Sequence, residues 1–388
     1  MKKYFSLNTF INITLLLASI SLTLVIVEVI LPLESPLGNN YYVWTPNFSY
    51  VFKPLPDVMP GIKGAARYIV NSQGMRGDEW LPAHNYRILA VGGSTTGCAY
   101  LDQPESWPYI LQQKLNKTQH RYKVWVGNIG KSGLTARDNI IQVKYLLQQY
   151  PSISCIIIMA GVNDFIMRLQ IGGQYGPYFL YKPGQEEHLL YRSFYVFPIQ
   201  YNKKMPFYRK TKLWHVFMKI NHLLFKRVQD NAGKMYIDAR KKRQQAIRRR
   251  DTLPDLSSAL EEYSRNINIL IDLAKKKSVR VIFLTQPFLW QSGLSEDLSR
   301  LLWLGWAQDI KEYYSIDALA NGMRLYNQAL LKVCQTRQVE CFDIASLVSK
   351  DTNIFYDDIH FNENGSEKTA EVVVQYMLGH KPFNELDK

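Results

Sequence analysis

Residues 87–97 read Arg-Ile-Leu-Ala-Val-Gly-Gly-Ser-Thr-Thr-Gly, an apolar run that leads directly into a glycine–glycine–serine turn. Such a run predicts a strand buried on both faces, and the turn predicts the start of a helix. In a parallel α/β sheet, a residue at this point lies outside the carboxyl ends of the strands, where ligands bind. Ser94 is therefore a candidate nucleophile, although a serine that only caps a helix has the same local sequence.

Apolar runs alternate with amphipathic segments on both sides of this turn. Strand-like runs are predicted at 87–91, 124–129, 155–159, 279–285 and 340–344, with helix-like segments between them at 107–115, 138–149, 257–277 and 323–335. With 47% hydrophobic and 21% charged residues, the chain has enough apolar residues for a substantial core. The alternation predicts an α/β domain around a mainly parallel sheet.

Two further blocks follow the second and third predicted strands. Residues 128–135 read Asn-Ile-Gly-Lys-Ser-Gly-Leu-Thr, and Gly133 allows the backbone to approach a ligand closely. Residues 156–164 read Ile-Ile-Ile-Met-Ala-Gly-Val-Asn-Asp, which brings Asn163 to the end of an apolar strand. Each block by itself also fits an ordinary turn or a helix cap.

A fourth block, residues 356–362, reads Tyr-Asp-Asp-Ile-His-Phe-Asn near the C-terminus. A carboxylate three residues before a histidine can hold the imidazole tautomer that deprotonates a serine. This spacing favours Asp357 as the partner of His360, with Asp358 as its rival.

In chain order, these four blocks resemble the SGNH (GDSL-type) hydrolase family, which is named for its Ser, Gly, Asn and His blocks. The resemblance covers about residues 85–165 and 255–375. It implies a flavodoxin-like three-layer sandwich with a central, mainly parallel sheet. It also implies that Ser94 is the nucleophile, that His360 is the general base and that Asp357 orients the imidazole.

The same resemblance implies an oxyanion hole formed by the backbone N–H groups of Ser94 and Gly133 and by the side-chain amide of Asn163. One departure from the family pattern is that the usual Gly-Asp-Ser is Gly-Gly-Ser here, with Gly93 in place of the aspartate.

Two other segments are similar to segments of bacterial members of the family that carry an N-terminal anchor. These are residues 71–77, Asn-Ser-Gln-Gly-Met-Arg-Gly, and residues 284–287, Leu-Thr-Gln-Pro. The second segment falls at a predicted strand end, so Thr285 and Gln286 are candidate residues of the substrate cleft. A plain strand-terminating turn is the alternative.

The N-terminal region predicts a membrane anchor. Residues 10–31 have about the 20-residue length that an apolar helix needs to cross a bilayer, and they exceed the apolar part of a signal peptide. Lys2 and Lys3 precede the span and the next basic residue is Lys53, which predicts a cytoplasmic N-terminus and a catalytic domain in the periplasm or at the cell surface. The predicted divisions are a cytoplasmic stub (1–9), a transmembrane anchor (10–31), a linker and N-terminal extension (32–80) and a hydrolase-like domain (81–388) with a basic helical insertion at about 166–255.

The positive charge of the chain is concentrated in this insertion. Residues 201–250 contain 16 Lys and Arg against 2 Asp and Glu, so this segment carries the whole formal net charge of +14. It predicts contact with anionic lipid or polysaccharide, and the alternative is a solvated basic face. Nucleic acid is not expected as a partner, because the predicted topology places the segment outside the cytoplasm.

The four cysteines do not form a metal-binding pattern. They stand at 98, 155, 334 and 341 with no Cys-x-x-Cys and no zinc-ligand spacing, so no metal and no cofactor are expected. Whether Cys334 and Cys341 form a disulfide or remain buried thiols stays open at this stage.

The leading functional hypothesis is serine-dependent removal of O-acyl groups, first of all acetyl, from an extracytoplasmic carbohydrate or lipid-linked substrate. An O-acyltransferase that modifies cell-surface polysaccharide with the same triad is the close alternative. A lipase-like activity and a non-catalytic polysaccharide-binding or assembly role are the other candidates.

Overall fold

The computed structural model describes residues 7–30, 40–175, 186–198, 206, 208, 211–224 and 227–385. The chain forms two compact units. One unit comprises Met1–Asn40 and Phe197–Lys226, and the other comprises Tyr41–Val196 and Arg227–Lys388.

The strands all belong to the larger unit. In chain order, the described strands are β1 (Ser49–Pro54), β2 (Ala66–Ile69), β3 (Tyr86–Gly92), β4 (Val124–Asn128), β5 (Cys155–Met159), β6 (Arg227–Ala232), β7 (Arg249–Arg250), β8 (Arg280–Leu284), β9 (Trp306–Ala307), β10 (Glu312–Tyr314) and β11 (Glu340–Phe342).

The helices divide between the two units. In chain order, the described α-helices are α1 (Leu7–Ile30), α2 (Ser94–Gly97), α3 (Trp107–Thr118), α4 (Ala136–Gln149), α5 (Val162–Ile171), α6 (Glu186–Ser193), α7 (Lys212–Leu224), α8 (Lys234–Gln244), α9 (Ser257–Lys276), α10 (Glu296–Ser299), α11 (Ile316–Arg337) and α12 (Glu363–Leu378). Only α1 and α7 lie in the smaller unit.

Five parallel strands form the central sheet, in the order β11-β8-β5-β3-β4. The chain first moves from β3 outward to β4 and then returns to the other side of β3 to form β5. This is the flavodoxin-like strand order, and the direction of winding reverses between β3 and β5. A crevice for a ligand is expected at that reversal, beyond the carboxyl ends of these two strands.

Helices cover both faces of the sheet. Since crossovers between parallel strands are right-handed, the reversal places α3 on one face and α4 on the other. The helix α12 packs against α3, whereas α9 packs against α4 and α11. The predicted α/β fold with a central parallel sheet in three layers is confirmed.

The five predicted apolar runs coincide with the five strands of the central sheet, and each boundary agrees within two residues. The helix predicted at 323–335 is longer, because α11 already begins at Ile316. The hydroxyl of Ser315 accepts the N–H of Ala318 and caps this earlier start.

A second, three-stranded sheet joins β2, β1 and β6. The strand β1 pairs antiparallel with β2 and parallel with β6, which lies inside the predicted insertion. The insertion is predicted to be helical, but α7 stops at Leu224, and Val228 lies in β6, where it pairs with Val51 of β1. Pairing with a distant strand overrides the local pattern there.

In the smaller unit, the carboxylate of Glu28 accepts the backbone N–H groups of Lys212 and Leu213 at the start of α7. An anion at a helix N-terminus satisfies free N–H groups and is favoured by the helix dipole. The segment Phe10–Ile30 has a mean hydropathy of 2.5 and is long enough to cross a membrane. A transmembrane span and a signal sequence both have these properties.

Cys334 at the end of α11 and Cys341 in β11 form a disulfide. Cys98 and Cys155 are free and buried. The structure thus decides a pairing that the spacing alone leaves open.

Arg76, in the segment 71–77, fastens the loop that follows the candidate nucleophile. Its buried guanidinium donates hydrogen bonds to the carbonyl oxygens of Gly97 (2.7 Å), Cys98 (2.6 Å) and Leu101 (2.7 Å) and to Oε1 of Gln103 (2.9 Å). Only the planar, five-donor arginine head can reach these acceptors together.

We expect Arg76→Lys to lower the free energy of unfolding by about 2–4 kcal/mol, because several buried carbonyls lose their donors. Arg67→Lys is the matched control, since its side chain is 58% exposed and pairs with Asp102 at the surface. Urea unfolding of the full chain in detergent micelles, followed by tryptophan fluorescence, measures the difference. Equal losses in both variants would contradict this assignment.

Candidate active site

Three side chains from two distant parts of the chain meet at the carboxyl end of β3. Nε2 of His360 lies 2.7 Å from Oγ of Ser94, the first residue of α2. Nδ1 of His360 lies 2.7 Å from Oδ2 of Asp357. The structure therefore brings Ser94, His360 and Asp357 into one row of hydrogen bonds, which is the arrangement that a serine nucleophile, its base and an orienting carboxylate require.

The Asp357 carboxylate is buried, and both of its oxygens accept hydrogen bonds. Oδ1 accepts the backbone N–H groups of Ile359 and His360, each at 2.9 Å. Burial raises the pKa of Asp357, but the charge and the hydrogen bonds of His360 outweigh it and hold this pKa below its usual value. Asp357 is thus ionised at neutral pH, and its carboxylate faces Nδ1 of His360.

Asp358, the rival residue, has a different set of partners. Its carboxylate accepts Nε1–H of Trp290 at 2.8 Å and the backbone N–H groups of Trp303 at 2.7 Å and Leu304 at 3.3 Å. Burial, together with the negative charge of Asp357, raises the pKa of Asp358 to about 6. Asp358 therefore ties the loop at 303–304 to the fourth block and does not contact the imidazole.

Gly93 has a packing reason to lack a side chain. A Cβ at this position would lie 2.4 Å from Nδ2 of Asn163, which is far inside van der Waals contact. The amide of Asn163 thus occupies the space into which a side chain at position 93 would project. A side chain there would displace one of the candidate oxyanion donors.

The candidate oxyanion donors face one cavity of about 320 Å³, which is lined by Ser94, Gly133, Asn163 and His360 among others. Nδ2 of Asn163 donates one hydrogen bond to the carbonyl of Leu134 at 2.8 Å, which leaves its second N–H for a ligand. Gly133 adopts a φ of +75°, a left-handed conformation that favours glycine.

An arginine fixes the loop that contains Gly133. Nη2 of Arg192 donates to the carbonyl of Gly133 at 2.9 Å, and the same guanidinium makes a bidentate pair with Asp138 at 2.8 and 2.9 Å. A loop held in this way presents its N–H groups without reorganisation, which is what stabilisation of a developing oxyanion requires.

The sequence analysis did not identify three further residues that line the cavity. These are Met235 and Tyr236 of α8 and Trp303, which lies between α10 and β9. Nε1–H of Trp303 also donates to Oδ2 of Asp357 at 3.0 Å, so the triad carboxylate has a second side-chain donor. No local sequence motif identifies these residues, because they are far along the chain from the four sequence blocks and come close to them only in the folded structure.

Two arginine side chains of the basic insertion are buried and donate hydrogen bonds to backbone carbonyls. Nη2 of Arg240 donates to the carbonyl of Tyr356 at 2.8 Å and its Nε donates to that of Leu301 at 3.0 Å. Nη1 of Arg243 donates to the carbonyl of Leu304 at 2.6 Å. Both arginines are buried, so a solvated basic face does not describe this part of the insertion.

Thr285 and Gln286 do not line the substrate cleft, and this expectation is wrong. Both side chains are fully buried. Oγ1 of Thr285 donates to Asp343 at 2.7 Å, and Oε1 of Gln286 accepts from Oγ1 of Thr95 at 3.2 Å. The side chain of Asn327 in α11 exchanges hydrogen bonds with the backbone of Gln286, which holds the chain in the interior after β8. Gln286 thereby contacts Thr95, the residue that follows the candidate nucleophile.

The cavity that contains Ser94 presents several groups with chemical roles in acyl transfer. Across the described ranges, no group of three or more His, Cys, Asp or Glu residues is arranged to hold a metal ion. The cavity combines a hydroxyl with a paired imidazole and N–H donors, which is the set of groups that acyl transfer uses.

The two neighbouring aspartates provide a matched test of the triad. We expect Asp357→Asn to lower kcat for an aryl acetate by about 10³- to 10⁴-fold, because an amide favours the wrong imidazole tautomer. The Asp358 side chain does not contact the imidazole, so we expect Asp358→Asn mainly to lower the midpoint temperature of thermal unfolding. Kinetics and thermal unfolding of both variants decide this, and a larger loss of kcat in Asp358→Asn would reverse the assignment.

Comparison with known proteins returns similar solved structures, whereas no family model and no curated protein matches the chain. One is a lipolytic protein of the G-D-S-L family from Veillonella parvula, with 13% identity over 78% of this chain and 100% of that chain and a TM-score of 0.40. A carbohydrate acetylesterase from Sinorhizobium meliloti has 10% identity over 76% and 99% of the two chains, with a TM-score of 0.40. The aryl esterase of M. smegmatis has 11% identity over 76% and 99%, with a TM-score of 0.41. The solved structures that this chain is similar to thus include two lipolytic proteins of the G-D-S-L family, a carbohydrate acetylesterase and an aryl esterase.

Proposed function

We propose that this chain is a serine esterase that removes O-acyl groups, with acetyl as the expected group, from an extracytoplasmic carbohydrate or lipid-linked substrate. The observation that carries this proposal is the hydrogen-bonded row of Ser94, His360 and Asp357, which opens on a cavity with N–H donors. This set of groups matches the needs of ester cleavage through an acyl-enzyme.

In the first half of the reaction, Nε2 of His360 takes the proton of Ser94 as Oγ attacks the ester carbonyl carbon. The oxyanion that forms meets the N–H groups of Ser94, Gly133 and Asn163. When the tetrahedral intermediate collapses, the bond to the alcohol oxygen breaks and His360 returns the proton to that oxygen. The acyl group then remains on Ser94 as an ester.

In the second half, His360 takes a proton from water while the water oxygen attacks the acyl-enzyme carbonyl. Collapse of this second intermediate returns the proton to Oγ of Ser94 and releases the carboxylic acid. The Asp357 carboxylate stabilises the imidazolium in both halves.

The close alternative is an O-acyltransferase, in which a sugar hydroxyl replaces water in the second half. A neighbouring cavity of about 1190 Å³ favours this alternative, because it has room for an acceptor. Met235, Trp303 and Leu304 line both this cavity and the one that contains Ser94. An acceptor bound there would have access to the acyl-enzyme.

We further propose that α1 anchors the chain with its N-terminus in the cytoplasm and the catalytic domain in the periplasm or at the cell surface. The apolar length of the helix and the position of Lys2 and Lys3 before it support this topology. The exposed basic residues of the insertion, which include Lys241, Lys242 and 248–250, support a contact with anionic lipid or polysaccharide. Nucleic acid is not proposed as a partner, because this topology places the insertion outside the cytoplasm.

The first test is hydrolysis of 4-nitrophenyl acetate by the full chain in detergent micelles. We expect Ser94→Ala and His360→Ala each to lower kcat by at least about 10³-fold. Ser346→Ala and His380→Ala are matched controls at exposed positions and are expected to keep the wild-type rate. Transfer of the acetyl group to an added oligosaccharide, followed by mass spectrometry, separates transferase from hydrolase.

A folded wild-type chain that neither hydrolyses the ester nor is labelled at Ser94 by a fluorophosphonate would overturn the enzyme proposal. The non-catalytic polysaccharide-binding or assembly role would then lead.

A further inference from the structure

On the side of β1, a further cavity of about 390 Å³ adjoins the cavity that contains Ser94. We name it the aromatic groove, because six of its lining residues are aromatic: Trp44, Phe48, Tyr50, Phe52, Tyr68 and Tyr100. Ala99, Tyr100 and Ser132 line both cavities, so the groove is continuous with the candidate active site. Its volume lies in the range of about 300–1,000 Å³ that is typical of ligand sites.

The strand β1 explains why these rings are arranged in a row. Residues two apart in a strand point to the same side, so Tyr50 and Phe52 share one face. Ring contacts then continue without a break towards the candidate base, in the order Phe48, Tyr50, Phe52, Tyr100, Tyr356 and His360. The rings of Phe48, Tyr50, Phe52 and Tyr100 are only half-buried, so a ligand can contact them.

The chemistry of the lining favours a sugar over an acyl chain. Besides rings, the groove offers the hydroxyls of its tyrosines and of Ser132 and the amide of Gln229. The described residues that line it include no Leu, Ile, Val or Met, the side chains that would be expected around a flexible hydrocarbon. A sugar ring has an apolar C–H face that stacks on aromatic rings and hydroxyls that need polar partners, and tyrosine supplies both.

We propose that the aromatic groove is a sugar-binding subsite that holds the carbohydrate part of the substrate while Ser94 attacks its acyl group. This inference rests on the proposed esterase or acyltransferase function and names its substrate class as an oligosaccharide or polysaccharide. The N-terminal extension thereby supplies substrate recognition, whereas the α/β core supplies the nucleophile and the base.

The test begins with binding of the full-length Ser94→Ala chain, in detergent micelles, to immobilised cellohexaose, xylohexaose, chitohexaose and hexagalacturonic acid. We expect at least one of the four to bind, and we expect the added Tyr50→Ala substitution to weaken that binding about tenfold, since it removes the middle ring of the row. Tyr376→Ala is the matched control. Its ring is also half-buried and stacks on Phe342 and His380, but it lies on α12 and lines neither cavity.

Kinetics in the wild-type background give a second readout. For the acetylated form of the bound hexasaccharide, we expect Tyr50→Ala to raise KM about tenfold. Hydrolysis of 4-nitrophenyl acetate, which has no sugar, is expected to change less than twofold. A structural defect at β1 would instead lower both activities together.

Three results would overturn the inference: no binding to any of the four glycans, equal losses in Tyr50→Ala and Tyr376→Ala, or a selective loss of 4-nitrophenyl octanoate hydrolysis in Tyr50→Ala. The last result would identify an acyl-chain site. Fluorophosphonate labelling of Ser94 in the wild-type chain distinguishes failure of this inference from failure of the proposed function. A labelled chain that binds no glycan retains the proposed function and overturns only the sugar-binding subsite. A chain that is not labelled overturns the proposed function itself.

Discussion

Burial of the Asp357 carboxylate costs free energy unless hydrogen bonds and an opposite charge compensate it, and the loops around the candidate site satisfy this requirement. The carboxylate accepts backbone N–H groups from its own turn, the Nδ1 proton of His360 and the indole N–H of Trp303. These partners come from the fourth sequence block and from the region before β9. The orientation of the imidazole, the position of Trp303 and the shape of the cavity thus depend on one buried charge.

The basic insertion contributes to the same arrangement through the spacing of its arginines. Arg240 and Arg243 stand three apart on α8, so they lie on one face of the helix, and both donate to buried carbonyl oxygens. Lys241 and Lys242 lie between them and are exposed. One short helix therefore combines an inward face that fastens the loops of the site with an outward face that carries free positive charge.

In the glycine–glycine–serine turn, the absence of a side chain at Gly93 leaves space that Asn163 fills. Asn163 packs its amide where a side chain at position 93 would project, and the amide is held by the carbonyl of Leu134. The candidate nucleophile and one candidate oxyanion donor are thereby packed against each other. On the opposite side, Arg76 fixes the backbone beyond the short helix that begins at Ser94.

Local sequence determined much of this protein, because strand and helix periodicities and the order of the four blocks are properties of neighbouring residues. The apolar runs predicted the central sheet, and the blocks predicted Ser94, Gly133, Asn163, Asp357 and His360 as the site residues that the structure then brings together. Tertiary structure alone buried Thr285 and Gln286, paired β6 with β1 and brought Tyr236 and Trp303 to the cavity. Each of these outcomes depends on contacts between distant segments, such as the pairing of Val51 in β1 with Val228 in β6, and no local pattern encodes such contacts.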